Sequence, residues 1–69
     1  MSKATQLGIN YRESILERAH RLEVTTEKEY KEEKAKLEVL AKKVQNHEAA
    51  YYDSKTETFW KKLRQRVIL

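Results

Sequence analysis

The chain contains no proline and a single glycine, Gly8. That scarcity constrains the fold more than any other feature. β-Hairpins and sandwiches need Gly, Pro or Asn-Gly turns about every 8–12 residues, and nothing after Gly8 supplies them. The charged residues make up 38% of the chain and are mostly Glu, Lys and Arg, all good helix formers. The expected fold class is therefore all-α. Setting aside six Ala and Met1, 20 large apolar residues remain for a core. That is enough for one small domain, and it is marginal against an ordering cost of about 1.5 kcal/mol per residue. The reading is a single helical domain over 10–69, preceded by a flexible tail over 1–9 where no helical period is visible.

Three helices can be placed. Asn10 and Glu13 have capping-box spacing, and Tyr11, Ile15, Leu16, Ala19 and Leu22 fall on one stripe, which predicts a first helix over about 11–24. The β-branched run Val24-Thr25-Thr26 interrupts it, and Thr26 with Glu29 forms a second capping box. The second helix is expected over about 27–52. Tyr30, Leu37, Val44 and Tyr51 recur every seventh residue along it, with Leu40 and His47 three positions after Leu37 and Val44. This is a heptad seam. At about 39 Å such a helix would outrun the first, leaving half of the seam for another copy of the chain. Past Tyr51 the seam positions Ser54 and Thr58 are polar. Ser54 and Glu57 make a third capping box, opening a helix over about 55–67 that carries Phe59, Trp60, Leu63 and Val67. The expected architecture is an antiparallel helical hairpin plus a basic C-terminal helix.

Charge is unevenly distributed. Residues 1–54 hold ten Lys or Arg and ten Asp or Glu, whereas residues 55–69 hold five basic residues against Glu57 alone. The whole net charge of +4 thus lies in the last 15 residues, with the only Phe and the only Trp. This pattern predicts a docking element. Phe59, Trp60, Leu63 and Val67, extended by Tyr52 where it does not simply mark the turn, would anchor in a groove, while Lys61, Lys62, Arg64 and Arg66 steer toward an acidic surface; the competing reading is that Phe59, Leu63 and Val67 close the bundle core and the basic face meets solvent. The same basic residues would alternatively meet the phosphates of DNA or RNA. A faint helix-turn-helix spacing, from Ala49 through Asp53 and Phe59 to Leu63, lends that alternative some support, although Asp53 stands where a turn glycine is usual and Ser54 where an apolar plug is usual. A membrane surface is disfavoured, because only four or five apolar residues would insert.

Catalytic chemistry finds no foothold. The absence of Cys removes disulfides, thiol nucleophiles and paired-Cys zinc patterns. His20 and His47 lie too far apart in sequence for a His-x-x-x-His ligand pair and read as edge or core histidines, with His47 a candidate for pH-tuned self-association. Glu32 and Glu33 are adjacent, diverge on a helix, and read as solvated. No Gly-rich phosphate loop occurs. No cofactor and no metal are called for. No run of about 18 apolar residues is present and no secretory signal is visible, so the expected location is cytoplasmic. The function expected is that of a non-enzymatic interaction module: an adaptor, inhibitor or chaperone-like regulator. It would bind a protein partner through the C-terminal helix and the Tyr30, Leu37, Leu40, Val44, His47 and Tyr51 seam, with homodimerisation through that seam as an option.

Overall fold

Helix 1 begins inside the expected tail. A computed structural model describes residues 2–68, with side chains described for 2–67, and it contains α1 (Gln6–Arg21), α2 (Glu27–Gln45) and α3 (Ser54–Ile68). The fold is all-α, with no strand among the described residues. The cap of α1 is Thr5, whose hydroxyl accepts from the Gly8 N–H at 3.2 Å, so Asn10 lies within the helix and caps nothing. A Cβ on Gly8 would sit 3.2 Å from that same hydroxyl, so glycine leaves the cap its room. The stripe buried on α1 is Ile9, Ile15, Leu16 and Ala19, while Tyr11 and Leu22 stay exposed. Ile9 is the residue whose burial moves the helix start upstream.

The segment before α1 is strapped down. Ala4 is buried and its N–H donates to the Ala50 carbonyl at 2.7 Å. The Tyr52 N–H donates to the Ser2 carbonyl at 2.9 Å, and Lys3 pairs with Tyr51 in one isolated antiparallel bridge. The Ser2 carbonyl and the Ala4 N–H thus find partners in the α2–α3 linker.

Helices α1 and α2 both end in a Schellman arrangement. After α1, the Glu23 N–H donates to His20 and the Val24 N–H to Ala19; after α2, the His47 N–H donates to Val44 and the Glu48 N–H to Lys43. The residue at the left-handed position is Glu23 (φ 58°) in the first and His47 (φ 59°) in the second, where glycine is usual. The turn after α1 leads into the capping box foreseen at Thr26 and Glu29, with both bonds formed at 3.0 and 3.1 Å. The resulting hairpin is antiparallel. His20 stacks on Tyr30 at 4.0 Å, Glu17 accepts from Tyr30 Oη at 2.6 Å and from Lys34 Nζ at 3.2 Å, and Asn10 and Glu13 lie opposite Glu38.

Helix α2 ends seven residues before the expected boundary, which corrects three readings. With 19 residues it spans about 28 Å against about 24 Å for the 16-residue α1, so there is no uncovered half. Leu37 is buried, and Tyr30, Leu40 and Val44 pack onto the same core, so the seam closes the hairpin of its own chain. A homodimer through it would have to break that hairpin. His47 lies in the turn and Tyr51 in the linker, so neither continues the seam. Eight residues separate α2 from α3 and Ala49 is exposed outside any helix, which removes the helix-turn-helix spacing.

Glu33, read as solvated, is only 6% exposed. It occupies a seam position, three after Tyr30 and four before Leu37, and so points inward. Burial raises its pKa above the ordinary carboxylate range, against the opposing pull of Lys36 at 3.3 Å. Lys36 also reaches Thr56 at the start of α3. Asp53 rather than Ser54 caps α3, accepting from the Thr56 N–H at 2.7 Å, and this bond holds the Asp53 carboxyl below its usual range. Helix α3 buries Thr56, Trp60, Leu63 and Val67, a 4-3-4 stripe that packs chiefly on α1.

Candidate functional site

The residues expected to anchor a partner are divided by this stripe. Trp60 is 6% exposed, and Leu63 and Val67 are buried beside it. All three belong to the core of their own chain, which corrects their reading as docking anchors. Phe59 is half-buried, set edge-on to Trp60 at 5.8 Å. Tyr52, in the linker, is 3% exposed. Lys61, Lys62, Arg64 and Arg66 are all exposed, and among the described residues none of them forms an ion pair.

A cleft of about 510 Å³ opens between α1 and α3, under the strapped N-terminal segment. Ile15, Tyr11 and Trp60 give it apolar walls, and Lys3, Arg12, Lys61 and Arg64 face it with four positive charges. The single carboxylate lining it is Glu57. Glu57 accepts from the Ser2 N–H at 2.8 Å, and that bond holds its carboxyl below the usual range.

Arg12 organises the floor. Its guanidinium lies 3.8 Å from the centre of the Tyr52 ring and 5.2 Å from that of Trp60, within cation–π range of both. Arg12 Nη1, Tyr52 Oη and Trp60 Nε1 are buried and have no hydrogen-bond partner. A buried polar group in that condition costs about 1–3 kcal/mol. Their convergence in one cleft marks it as the polar feature of this fold least explained by stability.

The cleft brings Tyr52, Trp60, Lys61 and Arg64, expected from the sequence as docking residues, together with Gly8 and with Arg12 and Lys3, which the sequence pattern does not mark as site residues. A signal for Arg12 exists. It stands three residues from Ile9 and three from Ile15, a charge set inside an apolar stripe. Lys62 and Arg66 lie outside the cleft, as do the former seam residues.

Among the described residues no three His, Asp or Glu side chains converge as a metal ion would require, and no helix is long and apolar enough to cross a membrane. No family model, curated protein or solved structure matches the chain.

Proposed function

We propose that this protein is a small, non-enzymatic interaction module that docks the acidic surface of a partner protein through the basic side of α3. The observation that carries the reading is the set Lys61, Lys62, Arg64 and Arg66, exposed on one helix and without acidic partners among the described residues. Surface cations on a stable scaffold are usually interspersed with carboxylates. Here residues 1–54 are balanced, ten basic against ten acidic, and the excess lies on α3. Trp60, Leu63 and Val67 drop out as anchors and become the scaffold that holds the helix in place. The module would act in the cytoplasm as an adaptor or inhibitor, by occupying a surface.

Nucleic acid is the rival partner for the same cations. Proteins that bind single strands add exposed aromatic faces on which bases stack, and on α3, which carries the cations, Trp60 is enclosed in the core and Phe59 is half-buried against it. That favours protein.

The test compares the wild-type chain with Lys61→Gln/Lys62→Gln/Arg64→Gln/Arg66→Gln as bait in extract, with and without nuclease. Retention of a protein with an acidic surface that survives nuclease and is lost with the variant is the expected result. Retention abolished by nuclease would replace this reading with the nucleic-acid one.

A further inference from the structure

We propose that the cleft between α1 and α3 is a carboxylate-binding site for an acidic peptide segment, with Arg12, Tyr52 and Trp60 supplying the donors at its floor. The inference rests on the docking reading above and assigns it a specific pocket.

Among the described residues, the buried side-chain atoms lacking partners are Arg12 Nη1, Thr25 Oγ1, Glu33 Oε2, Tyr52 Oη and Trp60 Nε1. Three of their residues line this cleft. Guanidinium and indole nitrogens only donate, and a phenol donates readily, so the group that complements them is an acceptor. Tyr52 and Trp60 are each more than nine-tenths buried, which keeps bulk water from serving as that acceptor. The rim adds Lys3, Lys61 and Arg64, and Glu57 is already engaged by the Ser2 N–H. The acceptor favoured by this field is an anion.

The shape selects among anions. Arg12, Tyr52 and Trp60 line a concave site together with the apolar Ile15, and its volume of about 510 Å³ is that of a site for a few side chains. A glutamate carries its carboxylate on two methylenes. It reaches the floor while its stem lies against Ile15 and the indole, and a planar guanidinium matches a carboxylate in bidentate fashion. A nucleic acid presents phosphates along a broad outer ridge, better met by a convex row of cations. The Arg12 guanidinium lies over both rings, so it is the group an entering carboxylate meets first, and the buried Tyr52 hydroxyl and indole N–H become donors as the side chains adjust around the ligand.

Trp60 is the only Trp, so its emission reports on the cleft directly. The full chain is titrated with hexaglutamate, inorganic phosphate and single-stranded oligothymidylate. Hexaglutamate is expected to shift the emission and bind most tightly. Tyr52→Phe and Arg12→Gln should each weaken it by roughly tenfold or more, the scale of a lost bond to a charged group. Tyr52→Phe should meanwhile melt no lower than wild type, because its hydroxyl has no partner in the free protein. Lys62→Gln/Arg66→Gln, outside the cleft, should weaken binding less than either. If instead that pair abolishes binding while Tyr52→Phe and Arg12→Gln bind as wild type, the cleft is overturned and the basic-face reading stands. Absence of any hexaglutamate binding overturns both. Tighter binding of phosphate or oligothymidylate overturns the peptide assignment.

Discussion

Glu23 and His47 both carry a β-carbon into left-handed backbone, at φ 58° and 59°. In that region Cβ crowds the following carbonyl, at a cost of about 1–2 kcal/mol, and glycine escapes it. Glycine gives back part of the gain through the greater freedom of its unfolded chain. Glu23→Gly is therefore expected to stabilise the protein by about 0.5–1 kcal/mol, which thermal melting would register as a rise of a few degrees. His47→Gly should gain less, since His tolerates this region better than most residues. A lower melting temperature for Glu23→Gly would show that its side chain makes a contact worth more than the strain. Glu33 poses the opposite problem, a charge held where an uncharged group fits. Its folded-state pKa is raised, chiefly by desolvation. The stability it contributes is therefore full below the ordinary carboxylate pKa and is lost as pH rises through the folded value. Glu33→Gln keeps the shape and removes the titration. It should melt above wild type at pH 7, with the gap closing toward pH 4; a gap that widens on acidification would contradict the direction of the shift.

At the scale of elements, the capping logic read from sequence succeeded where no better cap lay upstream. Thr26 and Glu29 form their box as foreseen. Asn10 and Ser54 do not, because Thr5 and Asp53 precede them and take the N3 amides of Gly8 and Thr56. Local spacing cannot rank such competitors; what decides is whether residues just ahead, such as Ile9, are worth burying. The end of α2 was harder to read for the same reason. Ala49, Ala50, Tyr51 and Tyr52 suit a helix, but the chain instead uses Ala50, Tyr51 and Tyr52 to pair with residues 2–4, a contact across 46 to 50 positions of sequence. This strap is fastened to α3 by the bond from the Ser2 N–H to Glu57. Because the Glu57 pKa is lowered mainly by that bond, the fastening is intact above the ordinary carboxylate range and released as pH falls through the folded value. Glu57→Ala, which removes the acceptor, should speed hydrogen exchange at the Ala4 and Tyr52 amides at neutral pH, with little change in the α1–α2 hairpin. Unchanged exchange would mean that the two backbone bonds hold the strap alone.

For the molecule as a whole, the all-helical class, the helix count and the hairpin were legible from the missing turn residues and the heptad stripe. The choice between Phe59 and Trp60 as core residue was not. Adjacent helical residues point about 100° apart, and the inward phase of α3 is set by Thr56, a polar residue that a hydrophobic pattern passes over. The consequence bears on any functional experiment with this chain. Truncating a buried Trp to Ala costs about 3–5 kcal/mol, while a chain of 69 residues has a total stability of roughly 3–10 kcal/mol at the usual per-residue scale. Trp60→Ala is expected to leave much of the population unfolded, seen as lost helical circular dichroism at 37 °C. Phe59→Ala, at a half-buried position, should stay folded with a lower melting temperature. Loss of partner binding by Trp60→Ala would then report the collapse of the scaffold and say nothing about contact. The informative pair is Lys62→Gln/Arg66→Gln, whose side chains are exposed and make no ion pair among the described residues; its melting should stay within about 0.5 kcal/mol of wild type. Should Trp60→Ala instead retain full helicity and a wild-type melting temperature, the placement of the indole in the core would be wrong, and its role as a docking anchor would return.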